Sequence, residues 1–182
     1  MDFLRLYLLG GLVFHKLVWE IMKRGSAAPP RGAVAARVVK LAILAGIIVQ
    51  TLIPDVLPIA AGPAALRVMG AVIYTAGLAL AVTGRVQLGG NWSDIEAAGV
   101  LTNQVVVESG VYRYIRHPIY TGDLALLLGL ELALNSWLVL GVVLLTPVVI
   151  RQALKEERML RTSLAGYAAY CARTRRFLPF LL

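Results

Sequence analysis

Long apolar runs separated by basic connections dictate most of what this chain can fold into. A helix that crosses a bilayer needs roughly 20 mostly apolar residues. Five stretches approach that length: Phe3 to Met22, Val38 to Ile53, Leu66 to Thr83, Pro118 to Asn135, and Trp137 to Ile150. The first carries His15, Lys16 and Glu20 near its end, the second stops at Pro54, and the fifth runs on as a polar helix, Arg151 to Ser163. Of the 182 residues, 59% are hydrophobic and 15% charged. A soluble domain carries nearer a quarter charged residues, so much of this surface calls for a non-aqueous solvent. The pattern predicts an all-α integral membrane protein with about five transmembrane helices, as one compact unit.

The connections set the orientation. Lys23, Arg24, Arg31, Arg37 and Lys40 flank the first connection, and Arg85, Arg113 and Arg116 lie between the third and fourth stretches. Arg151, Lys155, Arg158, Arg161, Arg173, Arg175 and Arg176 follow the fifth, whereas the opposite side holds only Arg5 and Arg67. Positive loops face the cytoplasm, which puts the N-terminus outside and the C-terminus inside, in a prokaryotic inner membrane. They also explain the net charge of +8 better than nucleic-acid binding does, so membrane lipids are the expected partners. The first stretch lacks a small-residue cleavage site after it and reads as a helix rather than a signal peptide. One cysteine, Cys171, allows no internal disulfide and reads as a small apolar residue near the membrane surface.

Only Asn135-Ser136 joins the fourth and fifth stretches, so they must be antiparallel neighbours. The cytoplasmic end of that hairpin then brings His117-Pro118 close to Gln152, Glu156 and Glu157. Residues 86–115, mixed in polarity, contain Gly89-Gly90, Gly99 and the β-branched run Val105 to Val107. This segment is too polar to span and is placed on the cytoplasmic surface, over the hairpin. Gly25 to Gly32 reads as a short flexible loop. The division expected is three N-terminal helices over residues 1–84 and a chemical core over 85–182.

Three clusters could carry chemistry. In Arg116-His117-Pro118-Ile119-Tyr120-Thr121-Gly122, Pro118 suits the first turn of a helix, and the free amides there favour an anion. His117 would sit at the lip, and Gly122 would leave a groove for a planar ligand. A routine helix start with a basic interfacial anchor explains the same residues. In Lys155-Glu156-Glu157-Arg158, a carboxylate suits ribose hydroxyls; Glu157 and Arg161 also have the spacing of an ordinary surface pair. Tyr167, Tyr170, Arg173, Arg175, Arg176 and Phe177-Leu178-Pro179-Phe180 would satisfy an amphipathic interfacial helix with lipid contacts. Only the combination points beyond those explanations.

Taken together, Leu88-Gly89-Gly90-Asn91-Trp92, Gly110-Val111-Tyr112, Arg116 to Gly122, Glu156-Glu157, Tyr167-Ala168-Ala169-Tyr170 and Leu178-Pro179-Phe180 resemble the isoprenylcysteine carboxyl methyltransferases. The phospholipid N-methyltransferases share parts of this pattern, and the likeness covers about the C-terminal half. The resemblance implies a membrane-embedded methyltransferase that uses S-adenosylmethionine and no metal, on a lipophilic acceptor from the bilayer. Carried over by position, it implies cofactor contacts from Gln104, Val105, Val106, Val107, Tyr112, His117, Pro118, Ile119, Tyr120, Glu156 and Glu157. One position departs. Where the eukaryotic carboxyl methyltransferases are expected to hold an arginine that reaches the substrate, one turn before the first glutamate, this chain has Gln152. Either Arg151 or Arg173 takes over, or the acceptor is not an isoprenylcysteine carboxylate. A phospholipid or small-molecule N- or S-methyltransferase, a sterol-type membrane reductase using a nicotinamide cofactor, and a non-enzymatic lipid-binding protein are the competing readings.

Overall fold

The computed structural model describes residues 2–22, 33–54, 56–91 and 104–179. Its long helices are α1 (Phe3–Met22), α2 (Ala33–Leu52), α3 (Ala64–Leu88), α4 (Pro118–Ala133) and α5 (Val139–Ser163), followed by the short α6 (Tyr167–Arg173). They fall on the five apolar stretches, with α2 and α3 starting earlier and α3 ending later than hydropathy alone marks. No β-strand occurs among the described residues, so Val105 to Val107 belongs to no sheet. Lys23, Arg24, Arg31, Trp92, Gly99 and Phe180, and the Gly25 to Gly32 loop, lie outside the described residues.

α4 is the centre. From residue 118 to 136 every residue is buried or half-buried, because α3 covers one flank and α5 another. The α3–α4 interface is the most extensive, and glycines on both helices make it close. A Cβ at Gly77 would stand 2.3 Å from the Leu126 backbone nitrogen, and one at Gly129 only 2.1 Å from that of Tyr74. Gly70 and Gly122 are equally crowded, by Ala133 and Ala81. In an apolar solvent, small residues that let backbones touch replace the hydrophobic drive for helix pairing. Gly122 therefore serves the contact with α3; the expected groove for a planar ligand is filled by Ala81.

α1 completes the core. Leu8 and Leu12 join Tyr74, Leu126, Leu130, Ala133 and Leu134 in one buried cluster, drawn from both sides of residue 84. The Tyr74 hydroxyl donates to the Leu8 carbonyl at 2.6 Å. Buried arginines cap the helix ends, where carbonyls have no helical donor. Arg5 reaches the carbonyls of Thr51 at 2.8 Å and Ile53 at 2.9 Å, just past α2. Arg85 donates to the Met22 carbonyl of α1 at 2.6 Å and to Gly89 at 3.0 Å. Neither is the loop charge that its place between apolar runs suggests: both are buried ties between helices, because each guanidinium meets carbonyls that water would otherwise have to satisfy.

These ties order the ends. The C-termini of α1 and α3, the start of α4 and the polar half of α5 share one end. The other holds the end of α2 and the α4–α5 turn, where Asn135 (φ 58°) exchanges bonds with Ala60. Among the described residues, one helical run, Ala64–Asn91, is long and apolar enough to cross a membrane. α1 is broken by charges, α4 has 16 residues, and the apolar part of α5 stops before Arg151. Outward-facing Phe3, Leu6, Phe14, Val72, Leu144 and Val148 are exposed all the same.

Adding one methyl group to the seam should be costly. Gly77→Ala should lower the thermal midpoint in detergent by the equivalent of roughly 1–3 kcal/mol through overpacking. Gly46→Ala, with open space around it, should leave the midpoint unchanged or raise it.

Candidate functional site

At the shared end, the start of α4, the polar half of α5 and residues 174–177 come together. The pairing of residues 114–116 with 175 brings the tail back: the Arg116 amide donates to the Arg175 carbonyl at 2.8 Å, and the Arg175 amide to Tyr114 at 3.0 Å. The His117 amide follows, donating to Arg176 at 3.0 Å. In α4, Pro118 has no N–H and the Thr121 amide already bonds the His117 carbonyl. The amides of Ile119 and Tyr120 are the remaining first-turn donors.

Glu156 and Glu157 are neighbours on α5, and side chains one residue apart point about 100° away from each other. Their surroundings differ accordingly. Glu157 is buried and fully occupied: Arg116 Nε donates to its Oε1 at 2.8 Å, His117 Nε2 approaches the same oxygen at 3.3 Å, and Arg176 Nε donates to Oε2 at 3.3 Å. Arg116 also donates to the carbonyls of Cys171 (3.1 Å) and Thr174, and so caps α6. Burial alone would raise the Glu157 carboxyl, but the hydrogen bonds and charges of His117 and Arg116 outweigh it and hold the group down at about 2. Glu156 is half-buried, and the Tyr120 hydroxyl and Gln152 Nε2 (3.4 Å) both donate to its Oε1. Its Oε2 meets no donor among the described residues. The ring of His117 lies between those of Tyr120 and Phe177, each with centroids 5.6 Å away.

The expected convergence of His117 and Pro118 with Gln152, Glu156 and Glu157 is therefore present, with two differences. His117 is buried under the lip rather than standing at it, because Glu157 draws it inward. Glu157 bonds Arg116, forty-one positions away, instead of forming the local pair with Arg161. Tyr112 is buried beside this group; its carbonyl accepts from the Tyr170 hydroxyl at 2.8 Å. Burial pushes the Tyr112, Tyr167 and Tyr170 phenols above their usual range, so they remain neutral. Gln104, Val105, Val106 and Val107 are held at their start by Asn91, whose Oδ1 accepts from the Val105 amide at 2.8 Å. Val105 is exposed. The turn after them needs Gly110: its φ is 60°, and a Cβ would strike Gln87, which accepts from the Val111 amide. Arg151 is exposed, and Arg173 pairs at the surface with Glu108 at 3.0 Å. The sequence places Arg116 and Arg176 in the candidate clusters but gives no sign that both bond Glu157, and it does not single out Thr174.

The sequence pattern of the phospholipid methyltransferases matches residues 66–165, from α3 to the end of α5. The chain belongs to that family. Among curated proteins, it is 36% identical over 110 residues to the cobalt-zinc-cadmium resistance protein CzcN of Cupriavidus metallidurans. That match covers 58% of this chain and 47% of CzcN, so the chain spans about half the length of its curated relative. Among the described residues, no group of three or more His, Cys, Asp or Glu side chains is gathered as for a metal ion. Its fold resembles the eukaryotic intramembrane Ras methyltransferase, isoprenylcysteine carboxyl methyltransferase, with a TM-score of 0.66 at 20% identity, over 100% of this chain and 69% of that one.

Glu157 ties acid stability to this cluster. Its folded-state value is depressed, so its stabilisation is complete above the ordinary carboxylate range and is lost as pH falls toward about 2. Glu157→Gln should cost about 3–5 kcal/mol near neutrality, since Arg116 is left buried with one partner fewer. The wild-type midpoint should fall between pH 4.5 and 2 more steeply than that of the variant, as followed by circular dichroism.

Proposed function

We propose that this protein transfers a methyl group from S-adenosylmethionine to a lipophilic acceptor that reaches the site from the bilayer. The observation that carries this reading is the contrast between the two glutamates. A half-buried carboxylate with one oxygen fixed by Tyr120 and Gln152 and the other open suits a hydroxyl-bearing nucleoside. Glu157, saturated by three protein donors, is assigned instead to holding His117 and the tail in place. The amides of Ile119 and Tyr120 would receive the carboxylate of the methionine part. His117, Tyr120, Phe177 and buried Tyr112 would flank the ligand, and Gln104 to Val107 would close it from the segment ahead. Bound there, the sulfonium supplies an electrophilic methyl group. The chain's part is to orient both reactants and exclude water.

In this reading residues 85–182 form the methyltransferase core that holds the cofactor, residues 1–84 supply three helices packed on it, and α1 to α5 span the membrane. The outward apolar side chains of α1, α3 and α5 support a lipid surround. An isoprenylcysteine carboxylate would need a cation at the mouth. Arg173 bonds Glu108, so of the two arginines the sequence offered for that role Arg151 is the one left without an ion pair among the described residues.

Calorimetric titration with S-adenosylhomocysteine tests the reading. Saturable binding should weaken at least about tenfold in Glu156→Gln, a loss of about 1.4 kcal/mol or more, with the fold intact by circular dichroism. No binding by folded wild-type protein would overturn it and turn attention to nicotinamide cofactors. For topology, Cys171 is the single cysteine and half-buried. A membrane-impermeant maleimide should modify it in inverted vesicles and not in intact cells.

A further inference from the structure

One polar pair lies beside this site and is used by nothing described so far. His15 of α1 and Asp123 of α4 meet at 2.9 Å between Nε2 and Oδ1. The indole of Trp19 stacks on the imidazole, with ring centroids 4.0 Å apart and planes 21° off parallel. The surroundings are apolar helices, where an ionisable group is costly and stands by default for a function. The protein's purely structural charges look different: Arg5, Arg85 and Glu157 are almost fully buried and spend themselves on backbone carbonyls or several partners. His15 and Asp123 have one another, and their side chains are 23% and 37% exposed. A small group could reach them.

Position adds to this. Asp123 stands three residues after Tyr120 on α4, on neighbouring ground of one helix face. Tyr120 turns to Glu156 on α5 while Asp123 turns to α1. The pair thus sits one turn beneath the mouth, on its α1 side. Nearby charges are accounted for: Lys16 and Glu20 pair with each other on α1 at 2.7 Å, and from α3 Tyr74 bonds the Leu8 carbonyl.

We infer that His15 and Asp123 form a proton-accepting dyad for the methyl acceptor, whose reacting atom therefore carries a proton: an amine or thiol on an apolar chain. The inference rests on the methyltransferase reading above. A carboxylate holding one imidazole nitrogen fixes the ring's tautomer and stabilises the cation formed when the other nitrogen takes a proton. In the step, the acceptor's lone pair forms the bond to the methyl carbon while the carbon–sulfur bond breaks. That bonding pair stays on sulfur, which passes from sulfonium to neutral thioether. The N–H or S–H proton goes to His15, lies against Asp123 as imidazolium, and is returned to water.

The test uses the full chain in phosphatidylcholine nanodiscs, with Trp92→Phe and Trp137→Phe so that Trp19 is the remaining indole of three. Hexadecylamine, hexadecanethiol and hexadecanoate are titrated without cofactor. The amine or the thiol should change Trp19 emission saturably, hexadecanoate should not, and Asp123→Asn should abolish the response. With labelled S-adenosylmethionine, methyl should enter the same probe. His15→Gln should lower the rate about 100-fold or more, with affinity for S-adenosylhomocysteine unchanged within about twofold. A response to hexadecanoate as strong as to the others, label in none of the probes while S-adenosylhomocysteine binds, or labelling at the wild-type rate in both variants would overturn the dyad. If S-adenosylhomocysteine fails to bind, the methyltransferase reading falls instead, and the Trp19 response still decides whether the pair receives a protic head group.

Discussion

Backbone contact between α3 and α4 fixes where everything else can go. Once Gly77 lies against Leu126 and Gly129 against Tyr74, the two helices have no freedom to slide or separate. Register then follows: Gly84 meets Pro118, so the end of α3 and the start of α4 are held at one level. The Asn135-Ser136 turn returns the chain as α5 beside α4, and Gln152, Glu156 and Glu157 arrive at that same level. The site is a consequence of two helices touching at their least bulky positions.

Three arginines solve a related problem in the same way. A helix that ends in an apolar environment leaves carbonyls with no donor, and each costs free energy if it stays so. Arg5 serves the end of α2, Arg85 the ends of α1 and α3, and Arg116 the end of α6. Each lies on a different element from at least one end it caps, so it joins elements as well as satisfying them. Arg116 does most, since the guanidinium that caps α6 also holds Glu157.

Much of this could be read from the sequence. Apolar length located all five long helices, and the two-residue turn brought the first two clusters to one mouth; the return of the tail was not legible. Local rules failed where partners are distant. The i, i+4 spacing paired Glu157 with Arg161 because a helix surface shows only its own neighbours, whereas the actual donors lie on the α4 lead-in and the tail. Arg85 looked like a loop charge because hydropathy stops at Thr83, two residues before it, while the helix runs to Leu88. Gly122 looked like a ligand groove because nothing in one helix says which neighbour will fill the space. The phospholipid methyltransferase match, by contrast, runs through residues 66–165 and includes the α3 seam that motif reading had passed over.

The return of residues 174–177 to 114–117 also sets an order of events during synthesis. All five long helices leave the ribosome before Arg175 and Arg176 do. Until then Glu157 has Arg116 and His117 but not its third donor, the Arg116 and His117 amides have no acceptors, and Phe177 is not yet against the imidazole. The helical scaffold is therefore complete in sequence before the mouth is, and the mouth closes only when the tail folds back on it.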